Sequence, residues 1–348
     1  MFTLSNQELS IRVSHAGAEL QSLRDLRNDR ECLWQGDARW WNGHSPILFP
    51  ITGGLWNGTC RTPKGEIQIP KHGFVRRRNW RLAEQTDAAL RFEYIGSVGD
   101  YALFPWAFRL SATYSLEGRS LRADFEVENL GGEDLWFQLG GHPALNLPDW
   151  RDEEPLDGFL RLEGKPESLI RAGEQGCQEP ERHPVPLTDD GLVALGVETF
   201  AHEALIFDDS QISAATLLDR TKQPVARVES DAPVWLFWSP QGQHSPFVCA
   251  EPWYGLCDPI GYEGPVDERP FIQCAEEHGV PESYCSYHKL LLGLALRNRL
   301  AAFRAGSWKR EGGKLDKGRI ASTVVMVLCI LAAGVLIIRS HRGGKYLD

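Results

Sequence analysis

Residues 108–128 read FRLSATYSLEGRSLRADFEVE, and this stretch decides the fold. Apolar Phe108, Leu110, Ala112, Tyr114 and Leu116 alternate with polar Arg109, Ser111, Thr113 and Ser115. After Glu117-Gly118-Arg119 the alternation resumes, with Leu121, Ala123, Phe125 and Val127 set between Arg122, Asp124, Glu126 and Glu128. Successive side chains of an extended chain point to opposite faces, so a period of two means a strand with one buried and one wet face. Glycine at the break means a turn. Asn129 and Gly131-Gly132 turn the chain again, and residues 135–139 begin a further strand.

Similar short runs occur at 8–13, 90–94, 214–218, 225–228 and 234–238, and few helical windows appear before residue 280. Short strands and turn signals over so long a stretch indicate an all-β chain, a large antiparallel sandwich or barrel. The Gly-Gly pairs at 53, 131 and 140 lack the spacing and strand-to-helix context of a dinucleotide or phosphate loop. The chain has 348 residues and 42% hydrophobic content, enough for a substantial core. Its net charge of −10 argues against nucleic acid, which calls for a basic face, but leaves room for a local cluster that holds a phosphate. Twelve tryptophans suit the walls of a sugar site, though most large aromatics fill cores. None of the eight cysteines forms a CxxC pair, no spacing matches a zinc site, and the N-terminus lacks a cleavable signal. They read as reduced thiols of a cytosolic compartment. Asn57-Gly58-Thr59 matches a glycosylation acceptor and equally a hairpin turn.

Three separated pieces carry chemistry: Lys71-His72-Gly73-Phe74, Gly140-Gly141-His142-Pro143 and Glu251-Pro252-Trp253. Each places a titratable side chain beside glycine or proline, which fix the backbone. Imidazole gives or takes a proton near neutral pH, and a glutamate beside tryptophan is partly desolvated and becomes a stronger base. Opening a cyclic hemiacetal needs a base for the anomeric hydroxyl and an acid for the ring oxygen, and no metal or redox cofactor.

KHGFVRR (71–77), FQLGGHPALNLP (137–148) and CAEPWYGLCDP (249–259) resemble the aldose 1-epimerase (galactose mutarotase-like) family, in the branch typified by HGFAR, GGHPAF and EPW. The resemblance runs to about residue 275 and implies a β-supersandwich that interconverts the α and β anomers of an aldose or aldose phosphate. It implies Glu251 as base on the anomeric hydroxyl, His142 as acid on the ring oxygen, and His72 in support. Arg76, Glu203 and Trp253 would bind substrate, and Arg77 and Arg78 read as a solvated run. Two positions depart from the family pattern: Gly54 stands where relatives commonly carry arginine, and Glu203 where they carry aspartate. The competing reading is a non-catalytic, membrane-tethered carbohydrate-binding domain.

The tether is expected from residues 320–338, IASTVVMVLCILAAGVLII, which carry no charge. Nineteen residues in a helix span roughly 28 Å, close to a bilayer's hydrocarbon thickness. Basic residues lie slightly in excess upstream, which puts the large domain on the cytosolic side. The expected layout is therefore a sandwich domain over 1–275, a basic, partly helical connector over 276–319, a transmembrane helix over 320–338 and a tail over 339–348. The connector is suggested by Leu292, Leu296, Leu300 and Phe303 near helical spacing. The expected partners are a sugar or sugar phosphate and a membrane, with no nucleic acid; oligomeric state is not readable.

Overall fold

The computed structural model describes residues 1–276 and the strand Cys285–Gly293. The opening stretch forms a hairpin, Phe108–Glu117 against Ser120–Asn129, in register from Phe108↔Asn129 to Glu117↔Ser120. Gly118 turns it with φ 53°, a conformation glycine adopts at little cost. The expected runs reappear as Leu9–Val13, Ala89–Ile95, Ile212–Leu218, Pro224–Glu229 and Val234–Trp238. Asn57 and Gly58 both take positive φ in a turn that leads into Thr59–Thr62.

These strands build a nine-stranded and an eight-stranded antiparallel sheet, with smaller sheets at their margins. The two large sheets share one core. Leu110, Ala112 and Tyr114 of the hairpin belong to the same buried cluster as Trp235, Phe237, Val248 and Ala250 of the eight-stranded sheet. Removing such surfaces from water contributes about 1.5–3 kcal/mol per large side chain, and this burial holds the sandwich together. Helices among the described residues are single 3-10 turns such as Val75–Arg77. Among the described residues Cys32, Cys60, Cys177, Cys249 and Cys257 are buried free thiols.

Two expectations about the C-terminal part need correction. The sandwich does not end at 275, because Cys285–Gly293 lies within the nine-stranded sheet, paired to Ser120–Asn129 on one edge and Pro224–Glu229 on the other. Residues 285–293, expected to belong to a partly helical connector, are therefore extended. A segment with both edges paired satisfies its backbone across two neighbours, and this outweighs a sparse leucine repeat. Among the described residues no helix is long and apolar enough to cross a membrane. The expected span at 320–338, the remaining connector and the tail lie outside the described residues, so the tethered reading finds no support there.

Arg78 also departs from its expected role as a solvated charge. It donates to Asp100 from Nε at 2.8 Å, and Asp100 further accepts from Ser97 N at 2.9 Å, Ser97 Oγ at 2.6 Å and the Tyr94 hydroxyl. Burial opposes ionisation of Asp100, but the bonds from Ser97, Tyr94 and Arg78 outweigh it and hold the carboxyl at about 2. This hub ties the segment after Gly73 to the edge of the nine-stranded sheet. Asp100→Asn keeps the size but loses the charge, and is expected to cost about 2–4 kcal/mol in urea unfolding near neutral pH. Because the folded pKa is depressed, the wild type's advantage is present above the ordinary aspartate range and shrinks as pH falls toward about 2.

Candidate active site

The site is built on the strand Phe247–Tyr254. Val248 and Ala250 face the inter-sheet core, so Cys249, Glu251 and Trp253 project from the opposite face. On one side Val234–Trp238 pairs with it, setting Leu236 opposite Glu251. On the other side Leu139–Gly141 and Ala144–Asn146 pair in one unbroken register, from Leu139↔Tyr254 and Gly140↔Trp253 to Ala144↔Cys249. Carried through the gap, that register puts His142 opposite Glu251, Pro143 opposite Ala250 and Gly141 opposite Pro252. Two prolines that cannot donate thin the ladder at this point, where the Ala250 amide donates to the Pro143 carbonyl at 3.1 Å. The side chains of His142 and Glu251 meet there, Nε2 to Oε1 at 3.3 Å. Gly140 makes room for the neighbouring indole, since a Cβ there would lie 2.6 Å from Trp253 Cδ1.

His72 arrives from a different element. Its φ is 64°, and the next residue must be glycine, because a Cβ at Gly73 would lie 1.9 Å from the Phe49 carbonyl oxygen. The His72 amide donates to Gly53 O at 2.9 Å, and the Gly53 amide donates to His72 Nδ1 at 3.1 Å. An accepting Nδ1 puts the proton of the neutral ring on Nε2. The His72 ring stands edge-on to His142 at 5.6 Å and to Trp253 at 5.7 Å.

All six residues singled out in the sequence, His72, Arg76, His142, Glu203, Glu251 and Trp253, line one cavity of about 240 Å³. Arg76 donates from Nη2 to the Lys71 carbonyl at 3.1 Å. Glu203 is held at φ 64°, a costly conformation for a residue with a side chain. Trp253 is almost fully buried and forms floor rather than wall. The walls are Trp41 and Trp238, which the sequence did not single out. Trp41 stacks on His142 with centroids 4.9 Å apart and planes 21° apart, and its carbonyl accepts from Trp34 Nε1 at 2.7 Å. Lys71 was quoted only as part of a motif, yet it lines the cavity too. Gly54, where an arginine was expected, has no space for a side chain: a Cβ would lie 2.6 Å from the Gln175 carbonyl oxygen.

The electrostatics follow from burial. Burial pushes His142 down to about 3, with Arg76 and Lys71 adding to the effect. His72 is pushed well below the usual imidazole range by burial, then by His142, Lys71 and Arg76. Burial raises Glu251 well above the carboxylate range, partly offset by Lys71, the nearby Trp253 indole and Arg76. Both Glu251 oxygens, His142 Nδ1, Trp253 Nε1 and Arg76 Nε are buried without a partner in hydrogen-bond geometry. Buried polar atoms left open are costly, so their convergence on one cavity marks the place of a polar ligand.

Comparison with known proteins identifies the family. The profile of the aldose 1-epimerase family matches residues 1–258. The plasmid and chromosomal LacX proteins of Lactococcus lactis subsp. lactis are each 30% identical over 281 residues, covering 77% of this chain and 92% of the relative. A galactose mutarotase related enzyme from Lactobacillus acidophilus superposes with a TM-score of 0.77 at 24% identity, covering 85% of this chain and 97% of that one. A galactose mutarotase-like protein from Lactobacillus casei does so with a TM-score of 0.77 at 26% identity, covering 85% and 100%. The chain belongs to the aldose 1-epimerase family.

Proposed function

We propose that this chain is a mutarotase-type isomerase that interconverts the α and β anomers of an aldose by acid–base ring opening. The observation that carries the reading is the buried His142–Glu251 pair, 3.3 Å apart with no competing hydrogen bonds on the carboxylate. Glu251 takes the proton of the anomeric hydroxyl as His142 gives one to the ring oxygen, and the bond from the anomeric carbon to the ring oxygen breaks. Rotation about the first carbon–carbon bond and reclosure by the reverse steps yields the other anomer. The pair returns with its proton count unchanged.

The electrostatics support a single shared proton. In the empty cavity burial places it on Glu251, since both shifts favour the neutral forms. Sugar hydroxyls donating to the carboxylate favour its ionised form, and the proton passes to His142. Trp41, stacked on that ring, stabilises the imidazolium through its π face. His72 keeps Nδ1 occupied by the Gly53 amide, so its Nε2–H is a fixed donor to the sugar. Lys71 and Arg76 line the same cavity and form no ion pair among the described residues, which favours a sugar carrying an anionic group such as phosphate.

Polarimetry of freshly dissolved α-D-glucose, α-D-galactose and their 6-phosphates tests the reading. The wild type is expected to speed relaxation of at least one of them, and Glu251→Gln to lower that rate about 10²- to 10⁴-fold. An unchanged rate in Glu251→Gln removes the assigned base. Lys71→Met is expected to raise KM for a 6-phosphate about tenfold with little change for the free sugar. Glu251→Gln is also expected to unfold at a higher temperature than the wild type. The folded pKa of Glu251 is raised, so the wild type loses stability as pH climbs above the ordinary carboxylate range. The gap in Tm should therefore widen as pH rises above about 5, read by scanning calorimetry.

A further inference from the structure

We propose that His142, Cys249 and Glu251 together bind a thiophilic divalent cation such as Zn²⁺ or Cd²⁺, and that the bound cation blocks the isomerase by displacing the proton the acid–base pair shares. The inhibitory half rests on the function proposed above; the binding half does not.

One donor atom from each of the three residues lies within 4.8 Å of the others, and all three residues are buried. Their placement follows from the strand. Cys249 and Glu251 are two apart on Phe247–Tyr254 and share a face, and the register puts His142 opposite Glu251. The donor set is an imidazole nitrogen, a thiol sulfur and a carboxylate oxygen. Zn²⁺ takes all three, usually at tetrahedral sites, with a fourth position open to water or ligand. Bond lengths near 2.0–2.3 Å put neighbouring ligand atoms roughly 3.5 Å apart. The His142–Glu251 contact already meets that spacing at 3.3 Å, so closing the triad needs a movement of about 1 Å. Both Glu251 oxygens are free to ligate, and His142 offers Nε2, the nitrogen that faces them.

The charge balance favours such an ion. Binding releases one proton from the Cys249 thiol and one from the Glu251 carboxyl, and the resulting thiolate, carboxylate and divalent cation sum to zero. A cation between thiolate and carboxylate removes the cost of isolated charge in an apolar setting. The Cys249 side chain otherwise packs among Trp34, Ala144 and Phe247, and nothing in the proton transfer uses it. Entry is through the cavity that Glu251 and His142 line. The spacing rules of zinc sites miss this triad because its ligands come together across a sheet rather than along a short loop.

The test uses the full chain and its Cys249→Ala and Cys249→Ser variants, with Zn²⁺, Cd²⁺ and Mg²⁺ as probes. Without sugar, Cd²⁺ is titrated and the ultraviolet thiolate-to-cadmium charge-transfer band recorded. The other cysteines are common to all three proteins, so the wild-type-minus-variant difference isolates Cys249. The wild type is expected to show a saturable band that both variants lack. In the polarimetric assay, each protein is normalised to its own rate in chelator. Zn²⁺ should inhibit the wild type with a midpoint about tenfold or more below that of the variants, since losing a ligand costs at least what losing a supporting partner does. Mg²⁺, which demands oxygen ligands, should not inhibit. Equal Cd²⁺ bands in wild type and variants overturn the binding site, whatever the assay shows. A Cys249-dependent band with Zn²⁺ inhibition equal in all three proteins overturns the inhibitory role. A chain with the band but no turnover of any sugar removes the isomerase reading and leaves the metal site standing.

Discussion

The structure depends on one ladder that is thinned at one place. Phe247–Tyr254 pairs along Val234–Trp238 on one edge and along two short strands on the other, and the two short strands share a register. Between them fall His142 and Pro143, facing Glu251 and Ala250. Backbone pairing above and below fixes the positions, and the two prolines leave the ladder thinned between them, with the Ala250 amide still bonded to the Pro143 carbonyl. An acid and a base are thereby brought face to face by main-chain geometry, with no side-chain bonds needed to hold them. This matters because a side-chain hydrogen bond to Glu251 would favour its ionised form and lower its strength as a base. The carboxylate instead lies buried with both oxygens open. That is a poor arrangement for stability and a good one for proton transfer.

Period and punctuation made the sandwich legible. The alternation at 108–128 gave strand, turn and strand, and the hairpin forms with its turn at Gly118. The motif residues were legible as chemistry because each stood beside glycine or proline. What could not be read was what sits around them. Trp41 stacks on His142, and Cys249 approaches it, only once the register says which residues share a face. One-dimensional spacing carries no such information. Gly54 shows the opposite failure. Its identity suggested a lost binding group, whereas the Gln175 carbonyl already occupies the space a side chain would need. At the other end, Leu292 was read into a helical repeat, yet it lies in a strand bonded on both edges. Local periodicity over few residues yields to pairing whenever two strand edges stand unpaired nearby.

Of the titratable groups that line the cavity, His72, His142 and Glu251 stand closest to one another, and their surroundings differ. His72 has its Nδ1 committed to a backbone amide, and the His72 amide is in turn bound to the same residue, Gly53. That two-point clamp fixes both ring orientation and tautomer, leaving Nε2–H as the donor. Burial and the nearby cations push it far from protonation, which removes it from competition for the mobile proton. His142 has no such clamp on Nδ1, and Glu251 has none on either oxygen. The two groups proposed to share a proton lie 3.3 Å apart. A hydrolase or transferase needs further groups to activate water or expel a leaving group, whereas an isomerase that opens and recloses one ring needs a proton taken from one oxygen and a proton given to another. A cavity that sets a buried imidazole against a buried carboxyl suits the ring opening proposed above.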